Sequence, residues 1–241
     1  MTDHTILSAE AHRDLRIRTD ASQDLGDGVM ACLTFPDEFR RVQSHYPILF
    51  RHNHESNTLS AMAMFGLEEG ENLFLQDDRW DAPYKPIALA IQPFLIGGPP
   101  PGQAGTKKVH IDMASPRISH GNADGTRLFD EDGQATPFLE QIAEMLGELD
   151  EGYQAGFGFF EALQRYELLE PMVLDVPHSD GSAHRLVGFH MVDEAKLEAL
   201  PPEVVAELHS AGYLMPIFMA VASLGHLSQL VTRKTRRDGH G

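Results

Sequence analysis

Cysteine is almost absent from this chain. One thiol, Cys32, among 241 residues excludes an intrachain disulfide. It lies in the apolar stretch VMACLTF and reads as a small packed hydrophobe rather than a nucleophile. Basic residues are scarce: 19 Lys and Arg face 36 Asp and Glu, for a formal charge of −17. A field of that sign repels phosphate backbones, which argues against nucleic acid as a partner. No basic stretch followed by an apolar one opens the chain, so no secretory leader is expected in MTDHTILSAEAHRDL. Long hydrophobic runs are missing too. Tyr213–Leu227, the most apolar segment, falls short of the roughly 20 residues a membrane span needs and contains Pro216 and His226. It is expected to be a buried core helix, in a protein that does not span a membrane and is cytoplasmic. Phosphate-binding glycine loops, G-x-S-x-G elbows and C-x-x-C pairs do not occur; Gly152, Gly156 and Gly158 fall within a helical pattern.

The chain does have a distributed hydrophobic content of 42%, enough for a core. Short apolar stretches bounded by turn residues predict strands at Val29–Phe35, Pro47–Arg51, Leu59–Leu67, Leu73–Gln76, Ile87–Ile96 and Lys108–Met113. GGPPPGQAG (97–105) cannot be regular structure and is expected to be a connector. After Asp132-Gly133 helices take over. Thr136-Pro137 is an N-cap followed by proline at the first helical position, and Leu139, Ile142, Leu146 and Leu149 then repeat on one face. A second helix is expected over Tyr153–Leu169. A hairpin follows, with its turn at Asp180-Gly181. Asp193 caps a short helix, Pro201-Pro202 opens another, and the last starts near Pro216. The predicted class is α+β: a strand-rich N-terminal half packed with a helix-rich C-terminal half containing one β-hairpin. A single domain over 14–232 is expected, between a flexible N-terminus (1–13) and a basic C-terminal tail (233–241). Arg233, Lys234, Arg236 and Arg237 in that tail either complement the negative end of a terminal helix or dock on an acidic partner or membrane surface.

Several segments, in this order, resemble the SapC family of bacterial proteins, named for a surface-layer association. They are FPDEFRRVQSHYPILF (35–50), ENLFLQDDRWDAPYKPIALAIQPFLIG (71–97), VHIDMASPRIS (109–119), LFDEDGQATPFLEQI (128–142), LLEPMVLDV (168–176), LVGFHMVDEAKLEAL (186–200) and GYLMPIFMAVASLGHLSQL (212–230). The permease of the same label is a different, membrane-embedded protein. The resemblance carries no agreed activity, cofactor or catalytic residue. Members are often encoded near outer-membrane receptors and near halogenase-like and cupin-like proteins. It therefore implies a non-catalytic accessory or binding protein of an envelope-linked uptake, surface-layer or modification system.

Two constellations could carry chemistry. His110-x-Asp112 on a strand places both side chains on one face, two of the three ligands of a facial Fe(II) triad. His178, His184 or His190 could be the third, with Arg117 or Arg185 holding a cosubstrate carboxylate. This is the alternative reading, a metal-dependent oxygenase or hydrolase using Fe(II) or Zn; otherwise no cofactor is evident, and both residues read as ordinary sheet positions. The second is Trp80, the sole tryptophan, in DDRWDAPYKP with Arg79, Tyr84 and Lys85. It either plugs the core edge or, with Arg79, Tyr84 and Arg117, anchors a ligand or a protein partner. Self-association is the other arrangement these features allow. His52-x-His54 reads as a solvated turn. FDEDG (129–133) fails the calcium-loop register and reads as an acidic turn.

Overall fold

The structure is a computed structural model that describes residues 3–53, 58–98, 105–119, 124–177 and 183–239. Its first third holds β1 (His4–Ile6), α1 (Ala9–His12), β2 (Arg16–Ile17), β3 (Ala31–Thr34), α2 (Phe39–Val42), β4 (Ile48–Asn53) and β5 (Thr58–Met64). Next come a small hairpin, β6 (Leu75–Gln76) and β7 (Arg79–Trp80), and then α3 (Ile87–Ala90). Four more strands follow: β8 (Phe94–Gly97), β9 (Lys108–Asp112), β10 (Ile118–Ser119) and β11 (Thr126–Arg127). The C-terminal half holds α4 (Pro137–Arg165), β12 (Leu169–Pro177), β13 (Ala183–Val192), α5 (Glu194–Glu198), α6 (Pro202–Ser210), α7 (Leu214–Ser223) and α8 (Leu227–Asp238). This is the α+β arrangement expected.

The main sheet is antiparallel, in the order β12-β13-β4-β5-β3. Its centre is β4, where Ile48, Leu49 and Phe50 are all fully buried. Three consecutive buried residues mean that both faces of that strand are covered. The late hairpin β12–β13 joins this sheet through His190 opposite Phe50, which ties the C-terminal half to the N-terminal one. A second sheet, β1-β9-β8, and a small one, β10-β2-β11, lie over a separate apolar cluster of Leu15, Ile17, Phe94, Ile111 and Leu128.

One helix serves both cores. The apolar face of α4 gives Leu139, Ile142 and Leu146 to the second cluster and Phe159, Phe160 and Leu163 to the main one. At 29 residues it is about 43 Å long. Thr136 caps it as expected, accepting from the Leu139 amide, with Pro137 at the first position. Two separate helices were expected here, breaking near Gly152. The structure instead runs straight through, because Gly152 and Gly156 remove side chains where Phe35 and Pro36 press against the helix. The helix also stops earlier than Leu169: Glu167 turns left-handed at φ 51° and Leu168 bonds back to the Leu163 carbonyl.

Other expectations need correction. Ile87–Ile96 is not one strand, since Ile87–Ala90 forms a helical turn after Pro86 before β8 begins. The N-terminus is not free from Asp3 onward: β1 pairs antiparallel with β9. Arg233–Asp238 is not a loose tail but the end of α8. Its Lys234 is buried and bonds to Glu71 (2.8 Å) and Glu68 (3.2 Å). The turn at Asp180-Gly181 lies outside the described residues. By length and composition Leu214–Asp238 could cross a bilayer. Ile217, Ala220 and Leu230 of this run pack into the main core, while 28% of its apolar stretch as a whole is buried.

The glycine notch in α4 yields a test. Gly152→Ala gains about 1 kcal/mol of helix propensity but pushes a methyl group into the fully buried Phe35 ring. Overpacking of that kind costs about 1–3 kcal/mol. Urea denaturation should show net destabilisation, whereas Gly147→Ala, which meets nothing within 4 Å, should stabilise.

Candidate functional site

Where β3 runs into α2, a buried polar network begins. Asp27 and Glu38 are both 0% exposed. A carboxylate survives at that depth only if its oxygens are fully engaged, and these are. Asp27 Oδ2 accepts from Arg117 Nη2 (2.5 Å) and from the Ser22 amide (3.0 Å), and Oδ1 accepts from Lys85 Nζ (2.6 Å). Arg117, itself 3% exposed, directs Nη1 at the carbonyls of Arg18 and Asp20, while its buried Nε has no hydrogen-bond partner among the described residues. Asn72 donates to the Asp27 carbonyl. Glu38 accepts at Oε2 from Thr34 Oγ1 (2.6 Å) and at Oε1 from Tyr84 Oη (2.7 Å) and the Ile87 amide (2.7 Å).

The segment from Trp80 to Ile87 is stitched along this line. Trp80 Nε1 donates to Tyr46 Oη (2.9 Å) and to the Tyr84 carbonyl (3.0 Å), and Tyr46 Oη donates to that same carbonyl. The indole stacks on Phe74 and meets Phe65 edge-on, while Lys85 Nζ lies 5.4 Å from its ring centre. Trp80 therefore plugs the core edge. Of the proposed anchors, Trp80, Tyr84 and Arg117 converge on this network but are occupied by internal bonds. Arg79 is apart from them, exposed on the β6–β7 hairpin.

Burial shapes the titration of these groups. It lowers the Lys85 pKa, while Asp27 pulls it back up. It pushes the Cys32 thiol well up, with the Glu38 charge adding to the effect. The Tyr46 and Tyr84 hydroxyls are raised far above the tyrosine range, chiefly by burial and, for Tyr84, by Glu38 as well.

Among the described residues the candidate metal ligands do not come together. Asp112 Oδ1 is a turn acceptor, taking the Asp3 amide (3.0 Å) and the Ala114 amide (3.1 Å). His110 sits beside Gly97 in the three-stranded sheet, whereas His190 belongs to the five-stranded one. His178 and the side chain of His184 lie outside the described residues. No three His, Cys, Asp or Glu side chains converge among the described residues. Arg185 pairs with Asp175 on its own hairpin. FDEDG is an acidic turn: Asp130 Oδ1 accepts from the Asp132 and Gln134 amides. His52 is the penultimate residue of β4, while His54 lies outside the described residues.

An open groove of about 1050 Å³ runs between the β6–β7 hairpin and α8, lined by Leu75, Gln76, Asp77, Thr232, Arg233 and Arg236 among others. The hairpin tip, Asp77-Asp78, is left-handed at both positions (φ 49° and 56°), as a two-residue turn between Gln76 and Arg79 requires. Arg233 bridges the walls: it bonds to Asp81 (2.7 Å) and the Leu73 carbonyl (3.3 Å), and stands 4.4 Å over the Phe74 ring. Sequence patterning missed this partnership because hairpin and helix lie about 150 positions apart. It also gave Asp27 and Glu38 no distinction from the other 34 acids, whose burial alone sets these two apart.

These features define an α+β protein whose strongest polar chemistry is turned inward and whose open concave face is arginine-lined. The SapC family model matches residues 7–230, nearly the whole chain, and the chain belongs to that family. No curated protein and no solved structure matches it.

Two measurements check the network. Asp27→Asn strands Arg117 and Lys85 without a counter-charge, and urea denaturation should show a loss of about 3–5 kcal/mol. Arg79→Ala should change stability by less than about 0.5 kcal/mol. The raised tyrosines fix a pH limit. A group whose folded pKa is raised contributes stability that is complete below its unfolded pKa, near 10, and is lost as pH rises toward the folded value. Ultraviolet titration should thus show Tyr46 and Tyr84 ionising only together with alkaline unfolding above about pH 10.

Proposed function

We propose that this chain is a non-catalytic accessory protein that binds a protein partner. Its setting would be an envelope-linked uptake, surface-layer or modification system, with the chain itself on the cytoplasmic side. The observation that carries this reading is the division of polar groups. Asp27, Glu38, Lys85, Arg117 and Tyr84 are consumed by one another, leaving none of them poised as a base or nucleophile toward an open cavity. The open groove supports a binding role: Arg236 and Arg237 of α8 line it, Arg237 donating to the Asn72 carbonyl, in a chain that is otherwise strongly acidic.

Family membership supports the setting by analogy of genomic company, and the groove supports the mode. An acidic segment of the partner would meet the arginines, where paired hydrogen bonds to carboxylates favour arginine over lysine. Affinity purification of the tagged chain from native extract should return a stoichiometric partner. Arg236→Glu with Arg237→Glu should reduce its recovery at least tenfold without changing the melting temperature by more than a few degrees. Recovery of this chain alone would overturn the reading.

A further inference from the structure

The helices α7 and α8 follow one another in the chain but are fastened by different chemistry. In α7, Pro216, Ile217, Ala220 and Ser223 are buried, and apolar contact holds the helix to the main core. In α8 the buried residues are Leu230 and Lys234. Beyond Val231 the sequence TRKTRRD (232–238) contains no apolar residue. Burial of apolar surface cannot hold these last two turns down.

What holds them is polar, and it falls on one segment, Glu68–Asp81. Lys234 Nζ reaches Glu71 (2.8 Å) and Glu68 (3.2 Å), with Asp238 of its own helix at 3.7 Å. Arg233 bonds to Asp81 and to the Leu73 carbonyl and lies over the Phe74 ring. Arg237 Nη1 donates to the Asn72 carbonyl (3.3 Å).

Contacts of this kind close by a small margin. The Arg233 and Asp81 side chains are 29% and 49% exposed, so dissolved salt screens their attraction. The Lys234 and Glu71 side chains are only 8% and 10% exposed, and the loss of hydration of both ions offsets most of what the pair gains. Two turns are also too short to be stable as a helix on their own. The end of α8 is therefore shut by charge, and α7 by burial.

Beneath the two turns lie Leu73 and Phe74, 4% and 5% exposed. Their other holds do not involve α8. Phe74 stacks on Trp80 and meets Tyr46 edge-on, and Trp80 is bonded to Tyr46 in turn. The Leu73 amide donates to the Phe65 carbonyl. Lifting the helix end would leave this wall standing and take away the cover that Arg233 gives the ring.

We infer that residues 232–238 form a charge-held clasp. They lift from Glu68–Asp81 as a unit while α7 and the β6–β7 hairpin stay folded, and lifting them bares Leu73 and Phe74 in the groove. The groove then has two states, arginine-lined with the clasp shut and aromatic-floored with it open, and ionic strength shifts their populations. This is a property of the free chain and stands apart from the partner-binding reading.

Hydrogen exchange of the full chain, read by mass spectrometry, tests this. Salt is raised from about 0.1 M to about 1 M, which shortens the screening length from about 10 Å to about 3 Å. The peptide covering 231–238 should exchange roughly fivefold faster at high salt, and the peptide covering 214–223 should change by less than about twofold. Hydroxyl-radical footprinting under the same conditions should label Phe74 about threefold more at high salt, normalised to the exposed ring of Phe157. Lys234→Met keeps the aliphatic stem and strands Glu71. It should bring the low-salt exchange of 231–238 up to the high-salt rate of the unsubstituted chain. If Lys234→Met does not fold, Arg233→Gln at the more exposed pair should move both readouts in the same direction. Exchange of 231–238 in step with 214–223 at both salts would overturn the clasp, as would exchange that ignores salt. Faster exchange with Phe74 labelling unchanged would also overturn it, because the helix end would then fray without uncovering anything. Recovery or absence of a co-purifying partner changes none of these outcomes.

Discussion

The carboxylate of Asp27 is the point on which the architecture turns. It is fully buried, and Arg117 and Lys85 bring two cations to it from 90 and 58 positions away. Each of those cations holds something further. Arg117 fastens the loop around Arg18 and Asp20, and with it the small sheet β10-β2-β11. Lys85 anchors the turn that carries Trp80 and Tyr84. The second sheet and the main sheet have separate apolar clusters, and non-directional burial alone would let them slide. Ion pairs have direction, and this one fixes their register. A buried pair adds little net stability over a well-packed apolar substitute, so its role here is specificity of arrangement.

Glu38 repeats the device one element later, holding Thr34, Tyr84 and the start of α3. Between the two acids and the outer groove lies a column of two stacked rings with a cation at each end: Lys85, Trp80, Phe74 and Arg233. Cation–ring contacts of this kind contribute about 0.5–2 kcal/mol each and depend on face-on geometry. The column makes the inner wall of the groove a rigid extension of the core. The hairpin can therefore stay short, two residues per strand, and still hold its position against α8.

Much of this was legible in the sequence where the signal is local. The Thr136-Pro137 cap, the strand pair around Leu49 and Met62, the Asp193 cap and the late hairpin each rest on residues within a few positions of one another. Local signals also misled. The apolar repeat predicted two helices, one past Leu149 and another from Tyr153, whereas one helix runs through and Gly152, Gly156 and Gly158 mark approaches by Phe35, Pro36 and Tyr213, none of them close in sequence. The stretch Ile87–Ile96 has strand composition, but α3 forms there, held by Glu38 at the Ile87 amide. Trp80 and Tyr84 were recognisable as a set because aromatic and cationic residues stand together in DDRWDAPYKP, and Arg117 joined them only as a candidate from a separate segment. That they point inward was not recognisable, because Asp27 and Glu38 are ordinary acids until the fold buries them. The basic residues near the end of the chain were visible as a cluster, and their place on the helix α8 beside a hairpin was not.

The chain has one tryptophan, and the fold puts it at the seam between the inner network and the outer face. Its indole nitrogen is bonded to Tyr46 and to the Tyr84 carbonyl, its ring touches Phe74, and a lysine ammonium sits above it. The emission of the protein under selective excitation therefore comes from a single site whose electrostatic surroundings are set by the clamp on one side and by Arg233 on the other. The molecule carries its own optical gauge: loosening of the core and crowding of the groove both reach the same fluorophore, with no label attached.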